Sequence, residues 1–195
     1  MSCGGEDHYL RMELLRQCEA KDDIISIIKS VLVLKDICIY VLKNVVIPMK
    51  REKTHLVKKI TMFQRLSKSI SNLNGPPHVD NAIKSSKPKI IWILNKMSEK
   101  VNQFADAFAE RLNIMFNDWT ETEVKWESER PEESEVEKMT KRERKILTKL
   151  WKERELIAAE GKAKFEDLKA EWDAEKGSLD KVVMDCLRGV AELKE

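Results

Sequence analysis

Residues 22–48, DDIISIIKSVLVLKDICIYVLKNVVIP, form the most apolar stretch of this chain and restrict its fold more than any other segment. A membrane-spanning helix needs about 20 apolar residues free of internal charge. Here Lys29, Lys35, Asp36 and Lys43 interrupt, and the longest clean run is ICIYVL. A strand pair suits Val and Ile, but no Gly, Asn-Gly or Pro separates VLVL from ICIYVL to make a turn. A helix fits better. Lys29, Asp36 and Lys43 lie seven apart, nearly two helical turns, and Asp22 extends that line. Ile24, Ile27, Ile28, Val31, Leu34, Cys38, Leu42 and Val45 spread over the other sides. The pattern predicts a central helix over 22–47, wet along one narrow strip and ended by Pro48. The upstream segment, with Leu10, Leu14 and Cys18 at four-residue spacing, reads as a helix running into it without a breaker.

Downstream, Leu56, Ile60, Phe63, Leu66, Ile70 and Leu73 share one helical face, and the other face is basic. Residues 43–68 hold eight Lys and Arg against one Glu. Residues 74–89, NGPPHVDNAIKSSKPK, read as a loop because Asn-Gly and Pro-Pro punctuate them. A third helix follows. Ile91, Ser98, Ala105, Leu112 and Trp119 repeat every seven, and Leu94, Val101, Phe108 and Met115 form a second line. That alternating spacing belongs to a bundle or coiled-coil seam. Residues 121–137 carry eight Glu against Lys125 and Arg130, with Pro131 inside, and read as a solvated hinge. A last helix is expected from about 134 to 193, with Phe165, Trp172, Leu179, Cys186 and Leu193 seven apart. Leu150 and Ile157 begin a related line, while Trp92 and Trp151 fall off the main lines and are expected at core edges. Gly161 and Gly177 are places where that helix could turn back.

The fold class expected is therefore all-α: an elongated helical bundle with coiled-coil-like heptad seams and a long C-terminal helix or helical hairpin. Residues 1–130 would form the bundle and 131–195 the C-terminal amphipathic helix, packing back or projecting. A composition with 36% charged and 6% aromatic residues agrees with long helices.

Chemistry is hard to find. The chain lacks GxxxxGK[ST], GxGxxG, GxSxG and HExxH motifs. His8, His55 and His78 are scattered, and Cys3, Cys18, Cys38 and Cys186 show no CxxC spacing. We expect no enzyme, no cofactor and no metal. The N-terminal MSCGGEDHYLRMELLRQ has charges where a signal peptide has an apolar region, so an intracellular protein, cytoplasmic or nuclear, with reduced thiols is expected.

Charge is unevenly placed: residues 1–100 carry a net +8 and residues 101–195 a net −6, which together make the +2 of the whole chain. Two candidate interaction surfaces follow. One is the basic face of Lys50, Arg51, Lys53, Lys58, Lys59, Arg65 and Lys68, suited to an acidic surface on a partner or in residues 121–137. The other is the helical line Phe165, Trp172, Leu179, Cys186 and Leu193. The function expected is that of a non-enzymatic adaptor or assembly subunit that meets another protein, or its own copies in a homo-oligomer, through helix–helix contacts. The alternative is a bundle that binds or permeabilises an anionic membrane with the basic amphipathic helix 50–73. Nucleic acid ranks last, since base-stacking aromatics are missing from the basic face.

Overall fold

We describe a computed structural model; it defines the backbone of residues 4–72 and 81–192. Among these residues every element is helical: α1 Gly4–Val41, a π-helical turn Leu42–Val46, α2 Ile47–Ser71, α3 Asn81–Ser128, α4 Glu133–Lys138 and α5 Lys141–Glu192.

Pro48 does not end the first helix, contrary to the expectation from sequence. It sits in the first turn of α2, and the helical path continues through it. A proline removes one backbone hydrogen bond and crowds the carbonyl four residues earlier. The widened turn at 42–46 lies where that conflict falls, and such π-bulges absorb a helical irregularity without ending the helix. The loop expected at 74–89 is helical over its second half. Residues 81–89 belong to α3, with Pro88 inside it, and 73–80 lie outside the described residues.

The segment 121–137, expected as a solvated hinge, is mostly helical: α3 runs on to Ser128, and Val136 of α4 is buried in the core. Pro131 lies between α3 and α4, and α4 opens with a capping box in which Glu132 and Glu135 each accept from the other's backbone N–H. A second box starts α5. Thr140 N–H donates to Glu143 Oε2 at 2.7 Å, and Glu143 N–H donates to Thr140 Oγ1 at 3.3 Å. From there α5 runs unbroken past both Gly161 and Gly177 to Glu192.

The chain groups into two compact units: Met1–Leu42 with Asp118–Phe165, and Lys43–Asn117 with Glu166–Glu195. In the first, Ile24, Ile27, Val31 and Leu34 of α1 pack with Val136, Trp151 and Ala158, and Trp119, Trp126 and Leu147 lie against that core. Trp151, expected at a core edge, is among the most buried side chains. It belongs to the line Arg144, Trp151, Ala158, Phe165, Trp172, all buried at seven-residue spacing. Leu150 and Ile157, one residue out of phase, are exposed. At 100° per residue, one position is enough to leave the core.

In the second unit, Leu56, Ile60 and Phe63 of α2 are buried, as are Leu94, Val101, Ala105, Phe108 and Leu112 of α3. Leu66 points to solvent and Ser67 takes the core position instead. Its hydroxyl donates to Asn95 Oδ1 at 3.0 Å, which removes the cost of burying it. Trp172 closes this core against Phe104 and Phe108, with ring centroids 4.8 and 5.4 Å away.

Candidate interaction surfaces

The central helix is not wet along a narrow strip only. Ile25, Leu32 and Ile39, seven apart on α1, are 48, 55 and 48% exposed. The buried set, Ile24, Ile27, Val31, Leu34, Cys38 and Val41, covers the opposite side. A helix packed on one side of a core can hide only the stripe that faces it, however apolar its other residues are. Hydrophobic composition therefore overstated burial. The sequence does contain the missed signal: Cys18, Ile25, Leu32 and Ile39 form a seven-residue line of their own, apart from the core line.

The exposed face of α1 carries charges whose use differs from line to line. Lys35 pairs with Glu127 at 3.5 Å, and Lys162 stands 4.0 Å over the ring of Tyr40. Asp22, Lys29 and Asp36 are exposed. None of the three forms an ion pair or side-chain hydrogen bond among the described residues.

Beneath this face the first unit holds two buried arginines. Arg144 Nε donates to Asp23 Oδ2 at 3.0 Å and Nη1 donates to the Met139 carbonyl at 2.7 Å. Arg154 is ion-paired with Glu129 and lies over the rings of Trp151 and Trp126, 4.8 and 5.8 Å from their centroids. The ring faces supply negative potential to a guanidinium that water cannot reach. Cys38 is buried as well, and desolvation, with the carboxylate of Glu123 adding to it, pushes its thiol from 9.0 up to about 12.

All seven residues of the predicted basic face lie on α2, six exposed and Lys53 half-buried. Three are engaged within the second unit. Lys53 pairs with Asp106 at 3.4 Å, Lys59 with Asp180 at 3.2 Å, and Lys50 stands 5.2 Å over the Phe116 ring. Arg51, Lys58, Arg65 and Lys68 have no ion pair among the described residues. Beside them Val57, Met62 and Leu66 are exposed, and with Lys58 and Arg65 they line a shallow groove of about 370 Å³.

The predicted helical line on α5 divides. Phe165 and Trp172 are buried inside their units, Leu179 and Cys186 are half-buried, and Leu193 lies outside the described residues. Trp172 Nε1 also donates to Glu52 Oε2 at 2.6 Å, and Lys176 Nζ reaches the same oxygen at 3.0 Å. Trp92, expected at a core edge, is largely exposed.

Among the described residues no three His, Cys, Asp or Glu side chains gather as metal ligands, and no helix is long and apolar enough to cross a membrane. The class of protein that the described residues define is a helix-packed, all-α one. No protein-family model, no curated protein and no solved structure matches this chain.

Proposed function

We infer that this chain is a helical assembly subunit, acting through helix-to-helix contact with another protein chain. The observation that carries this reading is the line Ile25, Leu32, Ile39: three large apolar side chains at a helical repeat, about half exposed, on a helix whose opposite side anchors a core. Isolated apolar residues on a surface are ordinary, but a regular stripe is what a second helix packs against. The test is the double change Leu32→Glu and Ile39→Glu. Both sites are exposed, so the melting curve should stay close to that of the native chain. Cross-linking in cell extract, followed by mass spectrometry of peptides from α1, should recover a protein partner with the native chain and lose it with the variant. A native chain that forms no cross-link through α1, alone or in extract, refutes the reading.

A second reading draws on α2. Exposed Val57, Met62 and Leu66 beside Lys58, Arg65 and Lys68 make a surface with an apolar strip and cationic flanks, the chemistry that anionic lipid headgroups attract. Flotation with anionic vesicles, compared with neutral ones, tests it. Lys58→Glu with Arg65→Glu should abolish flotation if this face carries the binding.

A further inference from the structure

The exposed face of α1 has a symmetry that a partner of unrelated sequence would not require. Along one line it carries Asp22, Lys29 and Asp36, alternating in sign and unpaired among the described residues. In the sequence the same seven-residue line ends at Lys43, opposite in sign to Asp22. Beside it run Ile25, Leu32 and Ile39. Both lines share nearly the same midpoint. Leu32 is the middle of the three large apolar side chains, a line that Cys18 extends on one side only, and the charged line is centred between residues 32 and 33.

We propose that α1 packs antiparallel against α1 of a second copy of this chain, about a two-fold axis passing near Leu32. The proposal rests on the assembly reading above and names its partner. In a two-fold interface, residue i meets residue j and j meets i. With the axis at residue 32, Leu32 meets Leu32 and Ile25 meets Ile39 twice. With the same axis, Lys29 of each copy stands against Asp36 of the other, so two opposite-charge pairs form. The parallel arrangement would set Lys29 against Lys29 and Asp36 against Asp36, which costs both pairs and adds repulsion. The flanking groups do not compete. Lys35 and Tyr40 are already engaged with Glu127 and Lys162 inside the first unit, which bounds the free patch on both sides.

Light scattering and sedimentation on the full chain test the proposal. The native chain should be a dimer at tens of micromolar. Lys29→Asp sets two like-charge contacts across the axis and should weaken the dimer at least about tenfold. Adding Asp36→Lys to it reverses both partners and should restore the dimer. Direction is read by oxidative cross-linking in a background with Cys3→Ser and Cys18→Ser. Leu32→Cys should cross-link to itself, and Ile25→Cys should cross-link to a chain carrying Ile39→Cys but not to itself. A monomer at all concentrations overturns the proposal, as does a dimer indifferent to Lys29→Asp, a double variant that stays monomeric while folded, or self-cross-linking of Ile25→Cys. A monomer that still loses a different protein partner on Leu32→Glu would end this proposal and leave the assembly reading standing.

Discussion

The indole of Trp119 occupies the place where a side chain at residue 161 would begin. A Cβ built on Gly161 would overlap Cζ3 of that ring and stand 2.6 Å from Cε3. The ring meets Phe165 edge-on, with centroids 5.7 Å apart. Gly161 is therefore a packing residue, where composition alone suggested a bend. Gly161→Ala should destabilise the fold by about 1–3 kcal/mol through overpacking. Gly177 has nothing within 4 Å of its Cβ position, so Gly177→Ala should add about 0.5–1 kcal/mol by helix propensity. Urea unfolding of the two variants should shift in opposite directions.

Arg144 is held in the first unit by Asp23. Its side chain is only 3% exposed, so removing Asp23 strands a buried charge. Asp23→Ala should cost about 3–5 kcal/mol. Replacing both partners, Asp23→Leu with Arg144→Met, should cost far less, because no charge is then left to desolvate. A double variant as unstable as Asp23→Ala would show that the pair's geometry, and not the stranded charge, sets the cost.

Glu52 provides an acid-sensitive contact in the second unit. Burial alone would raise its pKa, but the hydrogen bonds from Trp172 and Lys176, with the Lys176 charge, outweigh that and hold it below the usual 4.5. A carboxylate with a depressed folded-state pKa adds stability above the unfolded value, and that stability is lost as pH falls through the folded one. Unfolding free energy should therefore decline as pH drops below about 4.5, and Glu52→Gln should flatten part of that decline. Trp172 fluorescence, followed with pH in both proteins, checks it.

Cys38 and Cys18 should differ in reactivity. Cys18 is exposed, while Cys38 is buried with its thiol pushed up to about 12. The nucleophile is the thiolate, so an alkylating reagent at pH 8 should label Cys18 in the folded chain and reach Cys38 only on unfolding. A background with Cys3→Ser and Cys186→Ser isolates the two. Linkage points the same way. Because the folded pKa is raised, the thiol's contribution is complete below 9.0 and is lost as pH rises toward about 12. Native labelling of Cys38 at a rate similar to Cys18 would contradict this burial.

Much of this fold is written locally. The helical identity of 22–47 follows from charges at seven-residue spacing and from the missing turn, and the buried positions of α3 follow from its two heptad lines. Periodicity is a property of one segment, so one segment suffices to read it. The start of α5 was missed, since the last helix was expected to run on from about 134, although Thr140 and Glu143 stand at the spacing a capping box requires. Other features were settled only by packing. Pro48 ends a helix when nothing holds the far side, but here core residues on both sides, Val45, Val46 and Met49, keep the chain helical through it. Gly161 could have been a turn until Trp119 was placed on it. Above all, the stretch 22–47 is apolar on most sides, and which of its lines meets a core depends on the single direction from which the other helices approach. That direction is a tertiary choice. It buries Leu34 and exposes Leu32, two leucines that stand on separate seven-residue lines, and the approach of the other helices decides which line is covered.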